Sequence, residues 1–416
     1  MCVLLILSLI FNHVNVAKID GTINPMAASY IMRAIKVAEN GGAECLIIEM
    51  DTPGGLDTAM RQIIKAIMGA NIPIVVYVYP PGARAASAGV YITMAAHVAA
   101  MAPGTNIGAA HPVAIGMGGE QTLSKEMAEK IENDAIAYMK SLAKKRGRNI
   151  KWAEDVVKRS VSATAEEALK LRVIDIVAKD INELLDKMNG MDVEVMGITK
   201  TLTTKEQTIK EIPSSARERF FSTISSPTIA YILLMLGLYA LFFEFAHPGA
   251  IFPGVFGAIA LILAFYGLQA LPINYAGLGL IILGFILFIL EALTPTYGPL
   301  AIGGVISTVL GSFMLVRSSA RFLQISRPVI ITITILIGGF FAFALSKVYL
   351  TRKRKVTTGD MGLVGEIAEV REKIDPVGKV FVHGELWNAT ASVPIKKGEK
   401  VRVVAVEGLT LKVEKI

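Results

Sequence analysis

Cysteine is nearly absent: the 416-residue chain holds only Cys2 and Cys45. That scarcity excludes a disulfide framework and a thiolate metal centre. Cys45 stands in the apolar run Cys45-Leu46-Ile47-Ile48 and reads as a core residue. Also missing are a Walker loop, a His-Glu-x-x-His zinc motif and a dinucleotide fingerprint. The Gly-rich turns at 54–55 and 303–304 lack those spacings. No metal and no cofactor is therefore implied. Basic runs are scarce too. The formal net charge is +7, yet the one tight cluster is Arg352-Lys353-Arg354-Lys355, directly after an apolar stretch. There it reads as a membrane-topology signal, and nucleic acid is not expected as a partner.

Apolar residues, by contrast, abound. They make up 53% of the chain, and the mean hydropathy is +0.54. A purely soluble chain rarely reads so apolar, so part of this one is expected in membrane lipid. Met1 through Ile10 is almost wholly apolar. It is too short to span a bilayer and suits a signal-peptide core, although the positively charged start is missing. Residues 1–13 are read as that segment, and three regimes follow it.

Residues 14–212 alternate strand and helix: strand 14–19, helix 25–39, strand 45–50, helix 57–69, strand 73–79. This βαβαβ order argues for parallel strands buried between helices. A helix follows at 124–145. Thr164-Ala165-Glu166-Glu167 has the form of a capping box opening helix 164–171, with a strand at 173–177. Residues 228–350 are almost continuously apolar, with five candidate spans near 228–246, 250–270, 276–292, 299–316 and 328–350. A span needs roughly 17–25 residues, and the Gly-rich 299–316 segment is the weakest of the five. Glu244 and Glu291 lie near span ends and read as interfacial anchors. Residues 356–416 return to short alternating strands punctuated by glycine, which suits a small OB-like or SH3-like barrel.

Two Gly-containing turns follow consecutive strands: Asp51-Thr52-Pro53-Gly54-Gly55 and Gly82-Ala83-Arg84-Ala85-Ala86-Ser87-Ala88-Gly89. In a parallel sheet the carboxyl ends of the strands form one rim, where both turns are expected to meet. Ser87 then precedes a helix, flanked by small residues. The amides of Ala88 and Gly55 are candidate donors to a developing oxyanion. Small residues around a serine equally suit close helix–sheet packing, so the residues alone leave both readings open.

Asp-Thr-Pro-Gly-Gly at 51–55, Ala-Ser-Ala-Gly at 86–89 and Met-Ala-Pro-Gly-Thr-Asn-Ile-Gly-Ala at 101–109 stand in family order. With them the chain resembles the NfeD family over nearly its whole length. These are membrane-bound relatives of ClpP and signal peptide peptidase A. The resemblance implies an α/β ClpP/crotonase-like spiral domain, then a helical transmembrane region, then a small all-β OB-like barrel. It implies a serine endopeptidase with Ser87 as nucleophile and Lys130 as general base, because Lys130 matches the position of the family's catalytic lysine. Lys130 adjoins the apolar stripe Met127, Ile131, Ala135, Tyr138, Leu142, so its amine is expected at a partly apolar cleft, where desolvation favours the free base.

His111 is the alternative base or a cleft-lining residue. It stands 24 positions after Ser87, close to the serine–histidine spacing of ClpP. His97 reads as a core or helix-end histidine. Residues 114–123 read as a Gly-rich lid or connector. The apolar surroundings of the motifs imply hydrophobic peptide segments as substrate. The resemblance adds a stomatin-like membrane protein as partner and a homo-oligomer, dimer or higher. A non-catalytic membrane scaffold for such a partner is the rival reading. An exported N-terminal domain and a basic cluster after the last span together imply a cell-membrane protein with its protease domain outside and its barrel in the cytoplasm.

Overall fold

The computed structural model describes residues 13–112, 124–247, 249, 251–269, 271–294, 298–316, 318, 323–352 and 360–416. The signal-like segment through Asn12, the loop at 114–123 and Lys353–Lys355 of the basic cluster lie outside the described residues. Two compact units divide the chain, Met1–Ile337 and Gly338–Ile416.

The first unit opens with an α/β domain. Its strands are β1 (His13–Asp20), β2 (Leu46–Asp51), β3 (Ile74–Val78), β4 (Arg84–Ala86), β5 (Val98–Met101) and β6 (Asn106–Gly108). They continue as β7 (Ser162–Thr164), β8 (Ile176–Val177), β9 (Asp192–Val195), β10 (Ile198–Thr201) and β11 (Thr208–Glu211). A parallel six-stranded sheet runs β11-β1-β2-β3-β5-β8, a three-stranded sheet β4-β6-β7 stands beside it, and β9-β10 form a hairpin. Both faces of the sheet's central strands are buried, as their continuous apolar runs require. Leu46, Ile48 and Met50 of β2 join one core cluster. Ile47, with Val75 and Tyr77 of β3, joins the other. This is the two-sheet α/β architecture expected of a ClpP/crotonase-like domain. The capping box at Thr164 and Glu167 is present and opens the helix Ala165–Lys170.

Cys45 is fully buried in the second cluster, and burial pushes its thiol up to about 12. His97 is a structural histidine. Its Nδ1 accepts the Ile74 N–H at 3.1 Å, its own N–H donates to Ile74 O at 2.9 Å, and burial lowers its pKa to about 3.

Four of the five candidate spans become helices long and apolar enough to cross a membrane: Pro227–Ala246, Ile251–Leu268, Tyr275–Leu293 and Arg327–Ala344 of a longer helix. The fifth, Pro299–Leu315, is 17 residues long. It runs antiparallel to Tyr275–Leu293 along its length. Gly277 meets Leu315 at one end and Gly284 meets Gly304 in the middle. At the other end Glu291 accepts the Gly298 and Ala301 N–H groups at 2.8 and 3.2 Å. Glu291 thus caps a helix inside the bundle as well as standing near its end. Large apolar side chains point outward from the helices, among them Ile262 at 68% and Ile335 at 66% exposure, as lipid-facing surfaces do.

In the second unit, β12 (Ile367–Glu372), β13 (Val377–Val382), β14 (Glu385–Thr390), β15 (Lys400–Glu407) and β16 (Thr410–Lys415) follow. They close a barrel in the order β12-β13-β14-β16-β15, with β14 and β16 parallel and β15 returning to β12. That order is the OB topology.

One buried cation braces the helix that begins after Ser87. Arg148 Nη1 donates to the carbonyls of Thr93, Met94 and Ala96 at 3.1, 2.8 and 3.1 Å. Its Nη2 meets Asp175 Oδ2 at 2.6 Å, and the Arg148 side chain is 2% exposed. A guanidinium at a helix C-terminus satisfies carbonyls that the helix itself leaves unpaired. Replacing it takes a donor from three buried carbonyls and the cation from Asp175, which keeps only the Ala99 N–H among the described residues. Arg148→Met should therefore cost ~3–5 kcal/mol of stability, seen as a lowered thermal midpoint in detergent; an unchanged midpoint would refute the brace.

Candidate active site

The three sequence motifs converge at the carboxyl ends of β2 and β3. Thr52 N–H donates to Arg84 O at 2.8 Å, Ala86 N–H to Thr52 O at 3.1 Å, and Ser87 N–H to Gly108 O at 3.3 Å. Asp51 Oδ1 accepts the Arg84 N–H at 3.0 Å. The turn after β2 is thus hydrogen-bonded to the one after β3, and the latter to the strand carrying the third motif.

Ser87 is the N-cap of the helix Ala88–Ala95, with φ 49° and ψ −113°. A positive φ on a non-glycine residue stores strain that the surrounding bonds must hold. Here the neighbours over-determine it: a Cβ on Gly54 would lie 2.7 Å from Ser87 Cβ, and one on Gly89 would lie 2.6 Å from Thr52 Cγ2. Only glycine at both places lets the turns approach this closely. The Ser87 hydroxyl is half-exposed and lines a cleft of about 690 Å³. Among the described residues it has no hydrogen-bond partner.

Gly55 and Ala88 line the same cleft. Gly55 bridges to Ile23 so closely that a Cβ would sit 2.1 Å from the Ile23 carbonyl oxygen. In that bridge Ile23 N–H pairs with Gly54 O and Leu56 N–H with Ile23 O, at 2.9 Å each. Among the described residues neither the Gly55 nor the Ala88 amide has an acceptor. Ala88 also opens a helix, whose N-terminus carries partial positive charge.

Lys130 and His111 are not brought into contact with Ser87. Lys130 is exposed on the first turns of the helix Lys125–Lys145, and the apolar enclosure expected for its amine is not met. Those first turns stand clear of the domain, and full burial begins at Ala135, which lines the cleft. One turn from Lys130 on the same face, Asp134 accepts from Arg61, a cleft-lining residue, at 2.7 Å. His111 is exposed, with Nδ1 donating to Val157 O at 3.0 Å. Its neighbours Ala110 and Pro112, not His111 itself, line the cleft.

Sequence reasoning missed Arg61 and Tyr91, both in the cleft wall. Tyr91 lies one helical turn after Ser87 and stacks on Tyr138 with centroids 6.1 Å apart. Burial pushes its phenol well above the ordinary value and keeps it neutral. Its signal was there: a residue four positions after a helix-capping serine shares its face.

A strained serine at a helix start, two amides without acceptors among the described residues and an apolar helical bundle thus stand together in one chain. The chain matches the NfeD1b N-terminal domain over residues 13–200, the NfeD integral membrane domain over 228–347 and the NfeD-like C-terminal, partner-binding domain over 360–415. It is 43% identical over 411 residues to the membrane-bound protease PH1510 of Pyrococcus horikoshii, covering 96% of this chain and 92% of that one. It is 28% identical over 422 residues to the membrane protein NfeD1b of Bacillus subtilis, covering 97% and 93%. A solved structure of the 1510-N membrane protease specific for a stomatin homolog, from Pyrococcus horikoshii, is 42% identical. It covers 51% of this chain and 98% of that one, with a TM-score of 0.45. The chain belongs to the NfeD family and is a membrane-bound serine endopeptidase.

Proposed function

We propose that Ser87 is the nucleophile of this endopeptidase and that Lys130 is its general base. The observation that carries the reading is the pair of unpaired amides, Gly55 and Ala88, beside a half-exposed serine hydroxyl in one cleft. The Ser87 oxygen attacks the peptide carbonyl carbon as its proton passes to the Lys130 amine. The two amides hold the oxyanion, the carbon–nitrogen bond breaks, and the leaving amine takes the proton. Water then hydrolyses the acyl-enzyme by the same relay. The Lys130 amine has no hydrogen bond or ion pair among the described residues, and Asp134 of the same face reaches the cleft wall through Arg61. Catalytic hydrogen bonds often close only when substrate binds.

A second reading, in which His111 is the base, rests on its Nδ1 contact with Val157 O. That bond leaves Nε2 as the basic nitrogen. The substrate is an apolar peptide segment, which the Met26, Leu56 and Met60 wall supports. It belongs to a stomatin-like membrane protein, as the specificity named for the Pyrococcus horikoshii protease supports.

For topology we infer a protease domain outside the cytoplasm and a cytoplasmic barrel. The end-to-end pairing of Pro299–Leu315 with Tyr275–Leu293 supports five crossings, an odd number.

Ser87→Ala in the full chain should abolish peptide cleavage, by ~10⁴-fold or more. Lys130→Ala should be severe and His111→Ala mild. Residual Ser87→Ala activity within tenfold of wild type would refute the nucleophile, and the reverse ranking of the other two would move the mechanism to serine–histidine. For topology, cysteines introduced at 190–210 and at 385–400 should differ in labelling by an impermeant reagent in intact cells. Labelling of the first alone is expected; labelling of both or neither would contradict five crossings.

A further inference from the structure

The cleft that holds Ser87 is not built by the α/β domain alone. Ser225, Tyr266, Gln269, Leu271 and Pro272 complete its wall, and all five belong to the membrane region or to the junction leading into it. Two features of the sequence put them there. The first is Gly267. A Cβ at this position would lie 2.3 Å from Ile224 O and 2.9 Å from Ala230 Cβ. Only glycine lets Ile251–Leu268 approach the start of Pro227–Ala246 so closely, and that approach carries Tyr266 against Phe221, ring centroids 5.1 Å apart. The second is the turn that follows. Leu271 N–H donates to Leu268 O, Ile273 N–H to Leu271 O and Asn274 N–H to Leu315 O, each at 2.9 Å. The Asn274 side chain then caps the next helix through the Ala276 and Gly277 amides. Leu271 and Pro272 are held in place from both sides.

The junction is also tied to the α/β domain. Arg33 Nε and Nη2 donate to Glu218 at 2.8 and 2.7 Å, and Nη2 reaches Pro213 O at 2.8 Å. These bonds hold the Glu218 carboxyl down at about 2. Tyr30 Oη donates to Ile212 O at 2.6 Å in the same linker. The membrane wall therefore stands in a set position relative to Ser87 and lines one cleft with Met26, Leu56 and Met60. The cleft beside Ser87 thus carries apolar side chains from both the soluble domain and the bundle.

Resting on the Ser87 reading above, we propose that Tyr266, Leu271 and Pro272 form an apolar specificity subsite contributed by the membrane region. It receives peptide residues that directly flank a membrane-embedded segment of the substrate. The bundle then selects substrate as well as anchoring the enzyme. A peptide emerging from the bilayer beside Ile251–Leu268 meets the subsite before the nucleophile, whereas a polar soluble peptide gains nothing from it.

The test uses the full chain in detergent. Its readouts are cleavage of a synthetic peptide with leucine and valine around the scissile bond, and labelling of Ser87 by a small fluorophosphonate. Leu271→Asp should raise KM for the apolar peptide ~10-fold with kcat little changed, because an apolar contact is lost in binding rather than in chemistry. Labelling of Ser87 should persist, and Leu271→Met, which keeps an apolar contact, should raise KM far less than Leu271→Asp. Unchanged KM in Leu271→Asp with labelling intact would overturn the subsite while leaving the nucleophile standing. Wild type that cleaves without labelling at Ser87 would overturn the nucleophile reading and the subsite with it. If Leu271→Asp loses labelling, Leu271→Cys in a Cys2→Ser background decides. A bulky maleimide attached after folding should block peptide cleavage but not fluorophosphonate labelling, and no block would overturn the proposal.

Discussion

Everything at the rim of the sheet depends on how the chain leaving β2 is bonded to the chain leaving β3. Thr52 both donates to Arg84 and accepts from Ala86, so two strand ends that diverge in most parallel sheets are here joined. The join needs bare backbone on either side, which is why Gly54 faces Ser87 and Gly89 faces Thr52. It also forces Ser87 to positive φ at the mouth of a helix. The serine is projected outward, its own amide is occupied by Gly108 O, and the next amide along is left open. Arg148 secures the far end of that short helix from inside the protein, so a strained N-terminus is balanced by a well-satisfied C-terminus.

The membrane region is built on the same economy of small residues. Gly284 against Gly304 draws one helical hairpin tight, and Tyr231 Oη to Ser312 Oγ at 2.8 Å links it to the other. Between helices in lipid there is no hydrophobic gain, so close packing and a few buried hydrogen bonds must supply the association. Gly267 serves this packing and at once determines where Tyr266 stands relative to the cleft. Anchoring and substrate access are in this way set by one residue contact.

Much of this was legible beforehand, and the misses have physical causes. The strands β1 to β3 announce themselves as apolar runs because both faces of the sheet are covered. The expected strand at 173–177 shrinks to Ile176–Val177 because the Val173 and Ile174 amides are spent on Ala168 O, closing the preceding helix. The edge strand β11 escaped notice because all four of its residues are exposed and it carries no alternation. That Ser87, Gly55 and Ala88 meet in one cleft was readable because turn chemistry is local. The setting of Lys130 was not, since helical periodicity gives the face of a residue but not where along the helix burial starts. Arg148 is a basic residue in a basic stretch, and only the fold shows that it is buried.

The central claim is that the strained residue at the joined strand ends is the reacting group. Incubating the full chain with an apolar peptide ester, quenching in acid and mapping the acyl adduct by mass spectrometry tests this most directly. The account predicts an acyl mass on the peptide that contains Ser87, and on no other serine. An adduct on a different serine, or continued peptide cleavage by a Ser87→Ala chain, would contradict it.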